Sequence, residues 1–115
     1  MWQHLGRVGA MLALAALLAA GAAAQTVVVR GWITDASSGE PLPGANVVLR
    51  AGAAAPLGAV SDKNGFYQLS EVPAGRYAVR VSFIGYEAFA DTLRFGDRPL
   101  VRLNVALAPA EEVLG

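Results

Sequence analysis

Hydrophobic and polar residues alternate along most of the chain after residue 25, with the period of a β-strand that buries one face. The clearest run is 76–83, in which Tyr77, Val79, Val81 and Phe83 share one face while arginine and serine occupy the other. No segment of this region has the 3.6-residue period of an amphipathic helix. The pattern therefore predicts short strands joined by turns.

Seven strands follow from this period and from the turn residues between them. They are expected at 26–34, 45–50, 57–61, 66–69, 76–83, 88–93 and 100–107. The segments between them are rich in glycine, proline and small residues, notably 35–44, 51–56 and 95–99. Because each apolar strand face must be covered by a second sheet, the sequence predicts an all-β fold, a seven-stranded antiparallel β-sandwich.

Two turns are predicted with particular backbone geometry. Asn64-Gly65 predicts a type I′ hairpin turn, because both residues tolerate the positive φ that this turn requires. Pro73 fixes its own φ two residues ahead of Gly75, so 72–75 is predicted to form a second tight turn.

The first 24 residues have the composition of a secretory signal peptide. Arg7 precedes an apolar stretch at 8–18, and Ala22 and Ala24 supply the small-residue pattern of a cleavage site before Gln25. The alternative is a retained N-terminal anchor, although the apolar stretch is shorter than the roughly 20 residues that span a bilayer. We therefore expect an exported protein, located in the periplasm or at the cell outer membrane.

Composition and charge narrow the classes of function. The 115-residue chain has 9 basic and 9 acidic residues, no cysteine and a single histidine. Without its first 24 residues it is long enough for one domain. Because the chain has no cysteine, no disulfide can stabilise that domain. Charges of both signs are interspersed, so we expect no nucleic-acid partner and no direct membrane insertion of the mature domain.

The sequence offers little for catalysis or metal binding. The histidine, His4, lies in the predicted signal peptide, so the usual general base and thiolate are missing from the mature domain. Asp62 and Asn64 resemble part of a calcium loop, but the later ligands are missing, and such residues commonly close their own turn. Lys63 is interpreted as a solvated turn residue. We therefore predict no enzyme, and no catalytic, cofactor-binding or metal-binding residue.

A binding surface is the remaining candidate site. Trp32 lies out of phase with the apolar residues of its strand and should share the outer face with Arg30 and Thr34. An exposed indole in this position can stack on a sugar or on a partner protein. In the alternative interpretation, the 51–56 loop or a neighbouring strand covers Trp32 and the residue is structural.

Five motifs occur in an order that resembles the carboxypeptidase regulatory-like domain. They are Val29-x-Gly31-x-Ile33-x-Asp35, Gly39-Glu40-Pro41-Leu42-Pro43-Gly44-Ala45-x-Val47, Gly58-x-Val60-Ser61-Asp62-x-x-Gly65-x-Tyr67, Val72-Pro73-x-Gly75-x-Tyr77 and Ile84-Gly85-Tyr86-Glu87. Ser61 stands where that family often has threonine. The resemblance spans Val29 to about Leu107 and implies a transthyretin-like or prealbumin-like sandwich of Greek-key type. Residues 25–108 would form this domain, and 109–115 a C-terminal tail or linker.

The resemblance also suggests a biological setting. Domains of this family frequently follow a signal peptide at the N-terminus of TonB-dependent outer-membrane transporters. The first expectation is therefore a non-catalytic accessory domain of such a transporter, or a fragment of one, with the transporter machinery as partner. The second is a free-standing periplasmic or surface module that binds carbohydrate or protein. The third is a regulatory companion of a peptidase, without peptidase activity of its own.

The predicted signal peptide leads to the first testable prediction. The chain should be cleaved between Ala24 and Gln25, because the apolar stretch and the small residues before Gln25 match a signal-peptidase site. N-terminal sequencing of protein recovered from the cell envelope should begin at Gln25. Recovery of the uncleaved chain from the cytoplasm would contradict the prediction.

Overall fold

The computed structural model describes residues 25–111, and the predicted signal peptide lies outside this range. The described part is built from strands and loops, and it contains no helix that could cross a membrane. Its eight strands are β1 (Thr26–Asp35), β2 (Asn46–Arg50), β3 (Leu57–Val60), β4 (Phe66–Pro73), β5 (Gly75–Ser82), β6 (Phe89–Phe95), β7 (Leu100–Arg102) and β8 (Val105–Leu107). The predicted all-β class is confirmed.

The strands form two sheets that pack face to face. The front sheet places β1 between β4 on one side and β7 with β8 on the other, and the back sheet has the order β3-β2-β5-β6. All pairings are antiparallel except those of β7 and β8, which run parallel to β1. The predicted sandwich is therefore confirmed, but it is not antiparallel throughout and it has eight strands instead of seven.

The extra strand arises because the predicted strand 100–107 is interrupted at Leu103 and Asn104. The register against β1 is the same before and after the interruption, with Val28 opposite Leu100 and Ile33 opposite Val105. No residue is inserted at the interruption, and only the backbone at Leu103 and Asn104 is rotated away from regular pairing with β1. The period-two pattern continues through 103–104, so the sequence alone predicts one strand.

The Leu103 N–H still donates to the Arg30 carbonyl at 2.8 Å, but side chains replace the next ladder hydrogen bond at this interruption. The Trp32 N–H donates to Asn104 Oδ1 at 3.0 Å, and the buried Tyr67 hydroxyl donates to the Leu103 carbonyl at 2.7 Å. Burial raises the pKa of Tyr67 far above its ordinary value, so the hydroxyl keeps its proton and remains a donor. The carbonyl lies where a side chain of residue 31 would be, because a Cβ on Gly31 would overlap it. Gly31 is therefore required by the close approach of a neighbouring backbone.

The core lies between the two sheets and is aliphatic with a few aromatic rings. Tyr77, Val79 and Val81 face inward from β5 as their alternation predicts, and the same holds for the inward residues of β1. The fully buried side chains of largest volume are Tyr67, Ile33, Leu49, Leu107, Val29, Val47, Val72, Val79 and Val81. Both sheets and the core that joins them lie within 25–111, so this part of the chain has what an independently folding domain needs.

The turn at 62–65 differs from the predicted type I′ hairpin turn in two respects. Gly65 has a φ of 77°, but Glu71 is the only non-glycine residue within 25–111 with positive φ, so Asn64 does not adopt the type I′ conformation. Instead, Asp62 Oδ1 accepts the N–H groups of Asn64 at 2.8 Å and Phe66 at 3.0 Å. The turn also makes no hairpin, because it carries the chain from β3 in the back sheet to β4 in the front sheet.

Strand β4 is longer than the predicted 66–69. A β-bulge lies between the pairs Val27–Val72 and Val29–Leu69, and Glu71 has a φ of 56°. The extra residue of the bulge interrupts the period-two pattern while the strand continues. The predicted turn at 72–75 is shortened as a result, because β4 ends at Pro73 and β5 begins at Gly75.

The two ends of the domain lie at opposite ends of the sandwich, since β8 runs parallel to β1. The segment after β8 is attached to the domain: the Glu87 N–H donates to the Ala108 carbonyl at 2.8 Å, and the Ala110 N–H to the Gly85 carbonyl at 2.9 Å. Between these bonds the Tyr86 hydroxyl donates to Asp35 Oδ2 at 2.6 Å. This hydrogen bond lowers the pKa of Asp35 and raises the pKa of Tyr86.

Substitution of Gly65 tests the turn. A Cβ here would lie 2.6 Å from the Ile33 carbonyl oxygen, and the φ of 77° is unfavourable for any other residue. Gly39 is a matched control, with a φ of 76° and nothing within 4 Å of the place that a Cβ would occupy. We expect Gly39→Ala to lower the unfolding free energy by about 1 kcal/mol and Gly65→Ala by about 2 kcal/mol or more. Equal effects in urea denaturation would show that the overlap with Ile33 is unimportant.

Substitution of Gly31 tests the interruption of the last strand. Gly31→Ala should lower the unfolding free energy by about 2 kcal/mol, because the Leu103 carbonyl can move away only by losing its bond to Tyr67. Gly58→Ala is the control, since a Cβ there would make an ordinary 3.5 Å contact with the Val47 carbonyl oxygen. Thermal melting of both variants provides the comparison. A Gly31→Ala protein as stable as Gly58→Ala would contradict this account of the strand.

Candidate functional site

The candidate site lies on the outer face of the front sheet, around Trp32. Alternate residues of β1 point outward, so Arg30, Trp32 and Thr34 lie on one face as the sequence predicts. The Trp32 side chain is 50% exposed. Its covered part packs against Phe66 of β4, the residue directly opposite, with ring centroids 5.1 Å apart and planes inclined at 60°. The 51–56 loop joins β2 to β3 in the back sheet, so the partial cover comes from β4.

Trp32 lines a shallow groove of about 420 Å³. The groove is lined by Arg30, Gly31, Trp32, Phe66, Arg102 and Asn104. Arg30 and Arg102 lie side by side, because they are register partners in the parallel pairing of β1 with β7. Thr34 lies further along β1, opposite Ala106 of β8, and is not part of the groove lining.

The interruption between β7 and β8 shapes this groove. Asn104 Oδ1 accepts the backbone N–H of Trp32, which holds the amide beside the indole and leaves its NH₂ group as a donor. A regular strand would make this bond with a backbone carbonyl. The same local rotation thus places a side-chain amide at the edge of the aromatic surface.

The groove combines three kinds of recognition chemistry. Trp32 and Phe66 offer an aromatic surface, Arg30 and Arg102 offer planar hydrogen-bond donors with positive charge, and Asn104 offers an amide. No carboxylate is among the residues that line it, so its electrostatic potential favours neutral or anionic ligands. Such a combination suits a hydroxyl-rich or carboxylate-bearing molecule with a flat apolar face.

Sequence reasoning misses two members of the groove. The alternating pattern identifies Phe66 only as the start of a strand, and Asn104 only as part of a continuous strand. Their proximity to Trp32 depends on the registers of β1 with β4 and β8, for which the sequence carries no local signal. The pattern does identify Arg102 as outward-facing, but its position beside Arg30 is likewise a consequence of register.

The turn at 62–65 uses its polar side chains internally. Asp62 Oδ1 accepts two backbone N–H groups of this turn, and Lys63 is exposed at the tip. Within 25–111, no group of three or more histidine, cysteine, aspartate or glutamate side chains is arranged to hold a metal ion. The geometry therefore gives this turn a structural role in linking the two sheets.

A larger cleft of about 720 Å³ lies where β6 of the back sheet approaches β7 of the front sheet. Its apolar lining comes from Leu93, Leu100, Val101 and Leu103, which are partly buried residues at the margin of the core. This cleft is the open side of the sandwich. Its lining also includes Arg94, Asp97, Arg98 and Arg102, but its aromatic residue, Phe95, is buried, so it offers no exposed ring of the kind that Trp32 provides.

Solved structures with a similar fold come from proteins of diverse function. The major pilin subunit BcpA of Bacillus cereus aligns with 75% of this chain at 19% identity and a TM-score of 0.59. A Bacteroides uniformis protein for which carbohydrate binding has been suggested aligns with 74% at 19% identity and a TM-score of 0.58. Chlorocatechol 1,2-dioxygenase from Pseudomonas putida aligns with 73% at 13% identity and a TM-score of 0.59.

These likenesses establish the fold and not a function, because a sandwich of this kind carries unrelated activities. The chain corresponds to 31% of the pilin, 42% of the Bacteroides protein and 60% of the dioxygenase. No curated protein sequence matches the chain significantly.

The family itself is established by sequence. The model of the carboxypeptidase regulatory-like domain matches residues 28–108, a range that contains both sheets apart from the first two residues of β1. The expectation from the ordered motifs is confirmed, and the chain belongs to the carboxypeptidase regulatory-like domain family.

Proposed function

We propose that this chain is an exported, non-catalytic accessory module that binds carbohydrate through the groove around Trp32. The half-exposed indole carries the proposal, because it lies against Phe66 and between groups able to hydrogen-bond. An aromatic ring in this position forms an apolar surface for a sugar ring, while arginine and amide groups bind the hydroxyls. The likeness to a Bacteroides protein with suggested carbohydrate binding is consistent with this class of ligand.

A non-catalytic role agrees with the chemistry of the groove. Arg30, Arg102 and Asn104 are donors, and no carboxylate, imidazole or thiol among the lining residues can act as general base or nucleophile. Trp32 is half exposed, so water would remain around a bound ligand. Binding and presentation of a ligand need neither a base nor exclusion of water.

An N-terminal position in a TonB-dependent outer-membrane transporter is the second candidate, and the placement of the domain ends favours it. The chain enters β1 at one end of the sandwich and leaves β8 at the other, so the domain can stand in line between neighbouring segments. The bonds from Glu87 and Ala110 fix the direction in which the chain leaves. This candidate requires that the reading frame beyond Gly115 encode a plug and a barrel, and a downstream sequence encoding neither would refute it.

Substitution of Trp32 tests the carbohydrate proposal. In the chain that begins at Gln25, Trp32 is the only tryptophan, so its fluorescence reports directly on the groove. We expect an oligosaccharide from a panel of neutral and uronate-containing glycans to shift the emission. Trp32→Ala should weaken binding of that glycan about tenfold by calorimetry, since a stacked aromatic contact contributes up to about 1.5 kcal/mol beyond area burial and about 1.4 kcal/mol corresponds to a tenfold change.

The stability of the Trp32→Ala variant distinguishes a binding role of Trp32 from a packing role. A half-exposed Trp32 predicts a loss of roughly 1–2 kcal/mol for Trp32→Ala, well below the 3–5 kcal/mol typical of a buried tryptophan. Val60→Ala, a truncation of a 60% exposed side chain on the back sheet, is the control and should change neither glycan binding nor melting substantially. A large loss of stability together with emission that no glycan shifts would mean that Trp32 only packs.

A further inference from the structure

The outer face of the back sheet carries four arginines that the proposed carbohydrate site does not use. Arg50 comes from β2, Arg76 and Arg80 from β5, and Arg94 from β6, and all four are exposed. They are outward-facing because each is out of phase with the buried residues of its strand. We call this set the arginine face.

Strand register brings these arginines close together. Arg76 lies directly opposite Arg94 in the antiparallel pairing of β5 with β6. Arg50 lies opposite Ala78, so it is a diagonal neighbour of both Arg76 and Arg80. Direct cross-strand partners have Cβ atoms roughly 5 Å apart and diagonal partners about 7–8 Å. The four guanidinium groups therefore cover an area that extends over three strands.

No carboxylate neutralises this face from within the four strands of the back sheet. The other outward positions are occupied by small, aliphatic or neutral polar residues: Asn46, Val48, Gly58, Val60, Ala78, Ser82, Ala90 and Thr92. Asp91, the one acidic residue in these strands, is out of phase with the arginines because it pairs with the buried Val79. Like charges directly opposite each other destabilise a sheet, so the arrangement stabilises nothing within the domain.

Most of the acidic residues lie elsewhere in the fold. Five of the eight within 25–111 are in the loops and tail near the end of β1, namely Asp35, Glu40, Asp62, Glu87 and Glu111, whereas Glu71, Asp91 and Asp97 lie outside this group. The formal net charge is close to zero, but the positive charge is gathered on one sheet face and much of the negative charge at one end of the domain. Charges that are interspersed along the chain are partly separated in space by the fold.

We propose that the arginine face contacts an anionic lipid surface through phosphate groups. Arginine binds phosphate with two parallel hydrogen bonds, and four arginines spread in two dimensions match an array of headgroups better than a single linear chain. The face also lacks aromatic side chains at its outward positions, in contrast to the front sheet, so it offers no surface for sugar rings or bases to stack on. Small residues between the arginines let the guanidinium groups reach the surface.

This contact is peripheral and would orient the domain. With the back sheet against lipid, the groove around Trp32 on the front sheet would face away from the lipid and stay open to a ligand. The inference does not depend on the carbohydrate proposal, because the two sites lie on opposite faces and share no residue. Either can fail without the other.

Vesicle binding tests the proposal. The chain that begins at Gln25 should sediment with vesicles of phosphatidylglycerol mixed with phosphatidylcholine, but not with phosphatidylcholine alone, and the binding should weaken at high salt. Each arginine near an anionic surface increases binding roughly fivefold, so Arg76→Gln with Arg94→Gln should reduce it about 30-fold. Arg50→Gln with Arg80→Gln should have a similar effect.

A charge-matched variant provides the control. Lys63→Gln removes one positive charge from an exposed turn outside the arginine face and should leave most of the binding intact, whereas the charge-matched Arg80→Gln should reduce it about fivefold. The Arg76 and Arg94 double variant should melt no lower than the wild type, because it removes a repulsive pair, so lost binding cannot be attributed to unfolding. An equal loss in the control would overturn the proposal, as would binding of DNA or a sulfated polysaccharide without vesicle binding.

Discussion

The contact of the Leu103 carbonyl with Gly31 and Tyr67 is the constraint on which the rest of the front sheet depends. The carbonyl occupies the space that a side chain at Gly31 would fill, and the buried Tyr67 hydroxyl supplies its hydrogen bond. A carbonyl turned into the interior without a partner would cost about 1–3 kcal/mol. With the partner in place, the last strand can run parallel to β1 on both sides of the interruption.

This arrangement links packing to the candidate site. Because the Leu103 carbonyl points into the interior, the Asn104 side chain accepts the Trp32 N–H in its place. Arg102, just before the interruption, stays in register beside Arg30. The groove is therefore a consequence of how the last strand attaches to β1. Tyr67 contributes to it from the inner face of β4, and Phe66, the preceding residue, contributes from the outer face.

The two outer faces differ in chemistry because the outward positions of the two sheets carry different side chains, although the strands of both sheets alternate in the same way. The front sheet combines aromatic rings with two arginines, whereas the back sheet has arginines among small residues. The domain therefore has two independent surfaces on a single core. A sandwich needs only its inward positions for stability, which leaves both outer faces free to carry recognition.

The sequence by itself determined the class of fold, the positions of most strands and the inward or outward direction of their residues, because these follow from local alternation and turn chemistry. It identified the outward triad of Arg30, Trp32 and Thr34 for the same reason. Alternation could not predict the bulge at Glu71 or the break at Leu103, since both depend on contacts with another strand. The type of the 62–65 turn is set locally by the Asp62 side chain, which the Asn64-Gly65 signal does not take into account.

Register and pairing were decided only by the tertiary structure. Arg30 and Arg102 are far apart in sequence, as are Trp32 and Phe66, and only strand pairing brings them together. The same holds for Arg50, Arg76 and Arg94 of the arginine face, which come from three different strands. The charges are interspersed along the chain, yet the fold gathers four arginines on one face. Alternation fixes which face of a strand a residue occupies, but the neighbours across that face depend on long-range packing of the whole core.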